Sequence, residues 1–104
     1  MPIADILELY ARVGRSLQGN GLKEAALPAA DGEAALRLFA YEKWRVLGGD
    51  VYKLTARNEL EPTYENWAYQ GEDIDESIEV ASDFVRGLVS RPVFIVFVIA
   101  SRGC

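Results

Sequence analysis

VLGGDVYKLTARNELEPTYENWAYQ, residues 46–70, is the stretch whose reading decides the fold. Val51 to Thr55 is rich in β-formers. Asn58-Glu59-Leu60-Glu61-Pro62 interrupts it with turn formers, and Pro62 can open a strand but not sit inside a central one. Thr63 to Tyr69 then alternates. Thr63, Glu65, Trp67 and Tyr69 share one face, and Tyr64, Asn66 and Ala68 share the other. Neither face is purely apolar, which places this second strand near a sheet edge. Aromatics with polar handles, set beside carboxylates on such an edge, suit a recognition surface. For Trp67 the alternative is a core or sheet-face aromatic.

Just upstream, Gly48-Gly49-Asp50 stands between Val46-Leu47 and Val51-Tyr52. A glycine pair there predicts a bulge or a close backbone approach. Two readings stand side by side. Asp50 can satisfy local backbone N–H groups in a purely structural bulge, or the loop can contact a ligand directly.

Further back, Ile3 to Leu17 reads as a helix. Ile3, Ile6, Leu7, Tyr10, Val13 and Leu17 follow the 3.6-residue period, and Gly19-Asn20-Gly21 stops it. Leu22 to Ala30 is ambiguous and contains the breaker Pro28. Asp31 is the expected N-cap of a second helix from Glu33 to Glu42, buried through Ala35, Leu38 and Phe39. The conversion to strand falls somewhere between Tyr41 and Leu47.

On the other side, Asp73 is the expected N-cap of a third helix, with Glu76 at the capping-box position. Ile74, Ile78, Ala81, Val85 and Leu88 form its apolar stripe, widened by Val80 and Phe84. Arg91-Pro92 ends it and leads into VFIVFVIA, residues 93–100. That run is apolar on both faces, as a central strand covered on both sides would be. Strand, helix, strand from Thr63 to Ala100 is the pattern of a right-handed βαβ unit. The expected fold is therefore α+β, in the order α-α-β-β-α-β. It has a mixed sheet, a central C-terminal strand and helices packed on the sheet.

The chain has 104 residues, a length for one domain, here 1–104. No apolar run approaches the roughly 20 residues of a transmembrane helix. The opening MPIADILELY lacks the marks of a signal peptide. One cysteine and no histidine exclude an internal disulfide, a zinc ligand set and any catalysis that needs a histidine base. No phosphate-binding glycine loop and no calcium loop is present. No metal or cofactor is expected, and a cytoplasmic location is the default.

The net charge of −5 is unevenly spread. Residues 58–85 carry nine acids and no Lys or Arg. Such a block argues against nucleic-acid binding and suits a basic protein partner. Its bland alternative is a solvated face plus helix N-terminal charges. Helix capping and dipole interactions explain much of the later acidic run, but not Glu59, Glu61 and Glu65.

LGGDVY, followed by EPTYENW, a helix and an apolar terminal strand, resembles the immunity protein 40 family of bacterial polymorphic toxin systems. The resemblance covers roughly residues 33–100 and leaves the first 30 residues outside. It implies a small cytoplasmic protein that binds and neutralises a cognate toxin domain. It marks Gly48, Gly49, Asp50, Tyr52, Thr63, Tyr64, Asn66 and Trp67 without saying whether they fold the protein or touch the toxin.

Two function classes follow. The first is a non-enzymatic inhibitor that occludes a toxin, with no nucleic acid or membrane as partner. Its expected contact residues are Asp50, Tyr52, Glu61, Tyr64, Glu65, Asn66, Trp67 and Tyr69, with Gly48 and Gly49 as the structural motif. The second is a small-ligand-binding or carboxylate-based enzyme domain using Asp50, Glu65 and Tyr52. A deep pocket and a carboxylate with a raised pKa would favour the enzyme, and a shallow acidic aromatic patch the inhibitor.

Overall fold

A computed structural model describes residues 2–16 and 25–100. Helix α1 spans Pro2–Val13, followed by β1 (Arg15–Ser16) and β2 (Ala25–Pro28). Helix α2 (Gly32–Glu42) leads into β3 (Arg45–Leu54) and β4 (Leu60–Ala68). Helix α3 (Ile74–Arg86) and β5 (Val93–Ala100) complete the order. The expected sequence of major elements is present, with β2 added in the stretch that was ambiguous. The expected first helix is corrected: it ends at Val13, ahead of Gly14, and Arg15–Ser16 form β1. Leu17 and the Gly19-Asn20-Gly21 stop lie outside the described residues.

The five strands lie in the order β1-β2-β5-β3-β4. The C-terminal apolar strand is central, and β4 is an edge. The expectation of a mixed sheet is corrected, because each hydrogen-bonded strand pair is antiparallel. β4 and β5 do run parallel to each other, as a strand-helix-strand crossover requires, but β3 lies between them. A short turn joins β3 to β4, closed by Thr55 N–H donating to the Glu59 carbonyl at 2.7 Å. A local hairpin of this kind claims one side of β3 and leaves β5 the other. Leu60, Glu61 and Pro62 belong to β4 rather than to the turn, and Pro62 is tolerated because the strand is an edge.

The expectation that β5 is covered on both sides is also corrected. All three helices feed one apolar cluster with Val46, Val51, Val93, Ile95 and Phe97. These residues share one face of the sheet by register. Phe94, Val96 and Val98 point to the opposite face and lie outside that cluster, and Val98 is 45 % exposed. One helical layer on one sheet face is the α+β arrangement.

Local chemistry sets the element ends. In α1 the buried stripe is Ile6, Leu9 and Tyr10, whereas Leu7 is 51 % exposed. The 6, 9, 10, 13 spacing defines the covered face better than the stripe that included Leu7. Burial pushes the Tyr10 phenol well above its ordinary pKa. Gly14 ends the helix by donating its N–H to the Tyr10 carbonyl at 2.8 Å. Asp31 occupies the N-cap position of α2 but makes no side-chain capping bond. At the other end of α2, Lys43 adopts φ 61°. Its N–H donates to Ala40 and that of Trp44 to Phe39, at 3.0 and 2.9 Å. This is a Schellman closure, completed by the Phe39–Trp44 ring contact at 5.8 Å.

The polar residue most deeply placed in the helical layer is Ser77, which is fully buried among the apolar side chains of α3. Its hydroxyl donates to the Ile74 carbonyl at 2.7 Å and accepts the Val46 N–H at 3.0 Å. Val46 lies where β3 slips register against β5. A bulge interrupts the strand ladder, and a buried N–H beside one needs another acceptor. Ser77→Ala leaves that N–H unsatisfied and is expected to lower stability by about 1–3 kcal/mol, measured by urea denaturation. A loss within error of zero would show that Val46 finds another acceptor.

Candidate partner-binding site

Asp50 pairs with Asn66 and Tyr52 with Pro62, so Val51 alone faces Thr63-Tyr64-Glu65. The edge strand must bulge to fit the extra residues. Thr63 organises the bulge. Its hydroxyl donates to the Val51 carbonyl and accepts the Glu65 N–H, both at 3.1 Å. The Asn66 side-chain amide donates to the Tyr64 carbonyl at 3.2 Å. Between these anchors Tyr64 is turned outward at φ 70° and is 84 % exposed. The left-handed region disfavours a residue with a Cβ by roughly 1–2 kcal/mol.

Glu65 is held from the far side. Arg91, just before β5, donates to both of its carboxylate oxygens, at 2.7 and 2.9 Å. This fork-to-carboxylate geometry is the strongest form of an exposed ion pair. The Arg91 hydrogen bonds hold the Glu65 carboxyl below the usual glutamate range, despite some desolvation. Glu61 meets Lys53 across the strand pair at 3.4 Å. Two of the three carboxylates without a capping role are thus paired with bases from other elements. Residues 58–85 hold no Lys or Arg, yet Lys53 reaches Glu61 across the hairpin and Arg91 reaches Glu65 from just before β5.

The glycine pair lies behind this edge. Val46 pairs with Ile99 and Gly48 with Val98, leaving Leu47 as the extra residue of a bulge in β3. Its carbonyl accepts the Tyr69 N–H at 2.8 Å. Gly48 has φ 154°, and a Cβ there would run into the Trp67 carbonyl oxygen. A Cβ on Gly49 would strike the six-membered ring of Trp67. That indole stacks on Phe84 at 4.7 Å and meets Phe97 edge-on at 5.9 Å. Trp67 is half-buried on the helix-covered side of the sheet.

Tyr69 is half-buried and also tied to α3. The Asp73 N–H donates to its hydroxyl oxygen at 3.2 Å, and its O–H donates to Glu76 Oε1 at 2.6 Å. Glu76 N–H in turn donates to Asp73 Oδ1 at 2.9 Å. One half of the expected capping box is direct, and the return half passes through the Tyr69 hydroxyl. The Glu76 hydrogen bond, with burial, raises the Tyr69 pKa.

The expected contact residues therefore fall into two groups. Asp50, Glu61, Tyr64 and Asn66 are exposed, with half-buried Tyr52 on the same open face as Asp50 and Asn66. Glu65, Trp67 and Tyr69 make internal contacts. The acidic block also divides. Glu59, Glu61 and Glu65 belong to the β3–β4 hairpin, whereas the other six lie on or lead into α3. Asp83 has Arg86 at 3.3 Å. Sequence reasoning missed Ser77 and Arg91. Arg91 is 26 positions from Glu65, too far for any local spacing to join them.

A family model described as Immunity protein 40 matches residues 16–99. The chain belongs to that family. The match begins earlier than the two motifs indicate, so β2 is within it, it starts at the second residue of β1, and α1 lies before it. No curated protein and no solved structure matches the chain. Among the described residues, no group of three or more possible metal ligands is assembled, and no helix is long and apolar enough to cross a membrane.

Two measurements test this geometry. If the indole occupies the space above Gly49, Gly49→Ala should destabilise the fold by about 1–3 kcal/mol. In a Trp67→Ala background most of that loss should vanish, and additive losses would separate the two sites. The second concerns pH. The folded Glu65 pKa is lowered, so the stabilisation from its pair with Arg91 is complete above the unfolded glutamate value. It is lost as pH falls through the lowered folded value. Carboxyl-carbon NMR should show Glu65 titrating below an ordinary glutamate and returning upward in Arg91→Met. An unchanged titration would mean that the ion pair does not form in solution.

Proposed function

We propose that this chain binds a cognate toxin domain in the cytoplasm of the producing cell and neutralises it by covering its working surface. Membership of the immunity protein 40 family carries the reading. The bulged edge of β4 is the contact surface, with Asp50, Tyr52, Glu61, Tyr64 and Asn66 meeting the partner. Glu65, Trp67 and Tyr69 border that surface and hold its shape. The toxin presents basic groups to the exposed carboxylates Asp50, Glu59 and Glu61. The 104 residues act as one binding domain without cofactor or catalysis. Glu65 argues against the carboxylate-enzyme reading. Its carboxyl is committed to Arg91 and its pKa moves down, opposite to the shift of a general acid.

The toxin domain encoded by the adjacent gene is the direct test. Co-expression of this chain should restore growth, and the purified pair should form a complex in which toxin activity is lost. Charges at the rim act chiefly on encounter. Raising salt about tenfold shortens the screening length roughly threefold and should slow association more than it speeds dissociation. Asp50→Lys combined with Glu61→Lys should weaken that salt dependence. A wild-type chain that neither binds nor protects against this toxin domain would overturn the function. Binding by the folded double variant with unchanged affinity and salt dependence would move the interface away from this edge.

A further inference from the structure

We infer that Tyr64 is the pre-organised anchor of the toxin contact, seated in a pocket with apolar walls and a cationic group at its rim. This rests on the toxin-binding reading above and specifies where the contact is made and what chemistry receives it.

Three observations support the assignment. Tyr64 stands 84 % exposed on an edge strand, although nearly all the other aromatic rings described are wholly or partly buried. It is held at φ 70° inside a strand, where no turn needs to be made. Thr63 and Asn66 hold the residue there through backbone hydrogen bonds, and the Arg91 fork fixes neighbouring Glu65. Strain of this kind persists only where the surroundings over-determine it, and it concentrates at binding sites. A backbone fixed before contact leaves only the ring's own rotamers to be ordered on binding, the advantage of a pre-organised anchor.

The surrounding charge selects the partner. Asp50 is exposed and pairs in register with Asn66, two residues along β4 from Tyr64. A cation at the rim of the receiving pocket can meet that carboxylate and the electron-rich face of the phenol ring together. The apolar walls follow from the ring itself, and a pocket that encloses an aromatic anchor excludes the water that would weaken both contacts.

A rival explanation is that the bulge only guards the sheet edge against strand addition. Bulges and prolines do this, and Pro62 is nearby. The two explanations diverge at Tyr64→Gly. Glycine adopts the left-handed region freely, so this variant keeps the bulge and should melt at or above the wild-type temperature. An edge guard needs the bulge and not the ring.

The experiment measures binding kinetics with the adjacent-gene toxin domain. Loss of an aromatic anchor corresponds to about a 30- to 1,000-fold weaker affinity for Tyr64→Gly, mostly through faster dissociation. Tyr41→Ala is the control, since Tyr41 is 74 % exposed on the regular helix α2. It should bind like wild type. Tyr64→Gly binding within about twofold of wild type overturns the anchor while leaving the toxin-binding function intact. Wild type that does not bind overturns both. Sedimentation of the chain alone covers the remaining occupant. A self-association that Tyr64→Gly abolishes, with toxin affinity unchanged, would assign the ring to a second copy and overturn the inference.

Discussion

The contact between Trp67 and Gly49 is the constraint on which the rest of the structure depends. One indole ring lies over a residue that has no side chain, and it is closed in by Phe84 from α3 and Phe97 from β5. Four elements meet there: the edge strand, its neighbour, the central strand and the covering helix. The ring packs close to the backbone of β3 because glycine leaves its volume empty. Close packing of this quality admits little change in volume on either side. It also sets where β4 must sit, and so where its exposed residues are presented.

Two bulges work on either side of that contact. The one at Leu47 shifts β3 against β5, and Ser77 and Tyr69 take up polar groups beside it. The one at Thr63–Glu65 gives β4 more residues than β3 can oppose. Its polar groups are met by Thr63, Asn66 and Arg91. In each case the ladder is interrupted and side chains replace the lost geometry, which is how a bulge persists without orphaned polar groups. The consequence differs with position. At Leu47 the bulge is joined to the helix layer and serves packing. At Tyr64 it faces solvent and projects an aromatic ring.

Charge also reads differently in three dimensions. The unbroken acidic run of residues 58–85 is divided between the hairpin and α3 with the segment leading into it. Hairpin carboxylates meet Lys53 across the strand pair and Arg91 from just before β5. Exposed pairs of this kind contribute little to stability, but they reduce the unpaired charge that a partner would meet. Asp50, on β3, is exposed opposite Asn66 of β4.

Periodicity alone was sufficient for much of the fold. The order of the major elements, the Asp73 cap, the central place of Val93–Ala100 and the edge place of β4 follow from patterns a few residues long. Such patterns are legible because helices and strands repeat over 3.6 and 2 residues. The family was legible from LGGDVY and EPTYENW for the same local reason. Pairings that join distant residues were decided by the tertiary structure alone. No spacing links Arg91 to Glu65, Ser77 to Val46, or the space above Gly49 to Trp67. The antiparallel sheet, the helices gathered on one face, and the placing of Trp67 inward and Tyr64 outward arise from those pairings. Alternation assigned Tyr64 and Trp67 to opposite faces, but it could not say which face the helices would cover. Nor could it reveal that a bulge would hold Tyr64 at a positive φ.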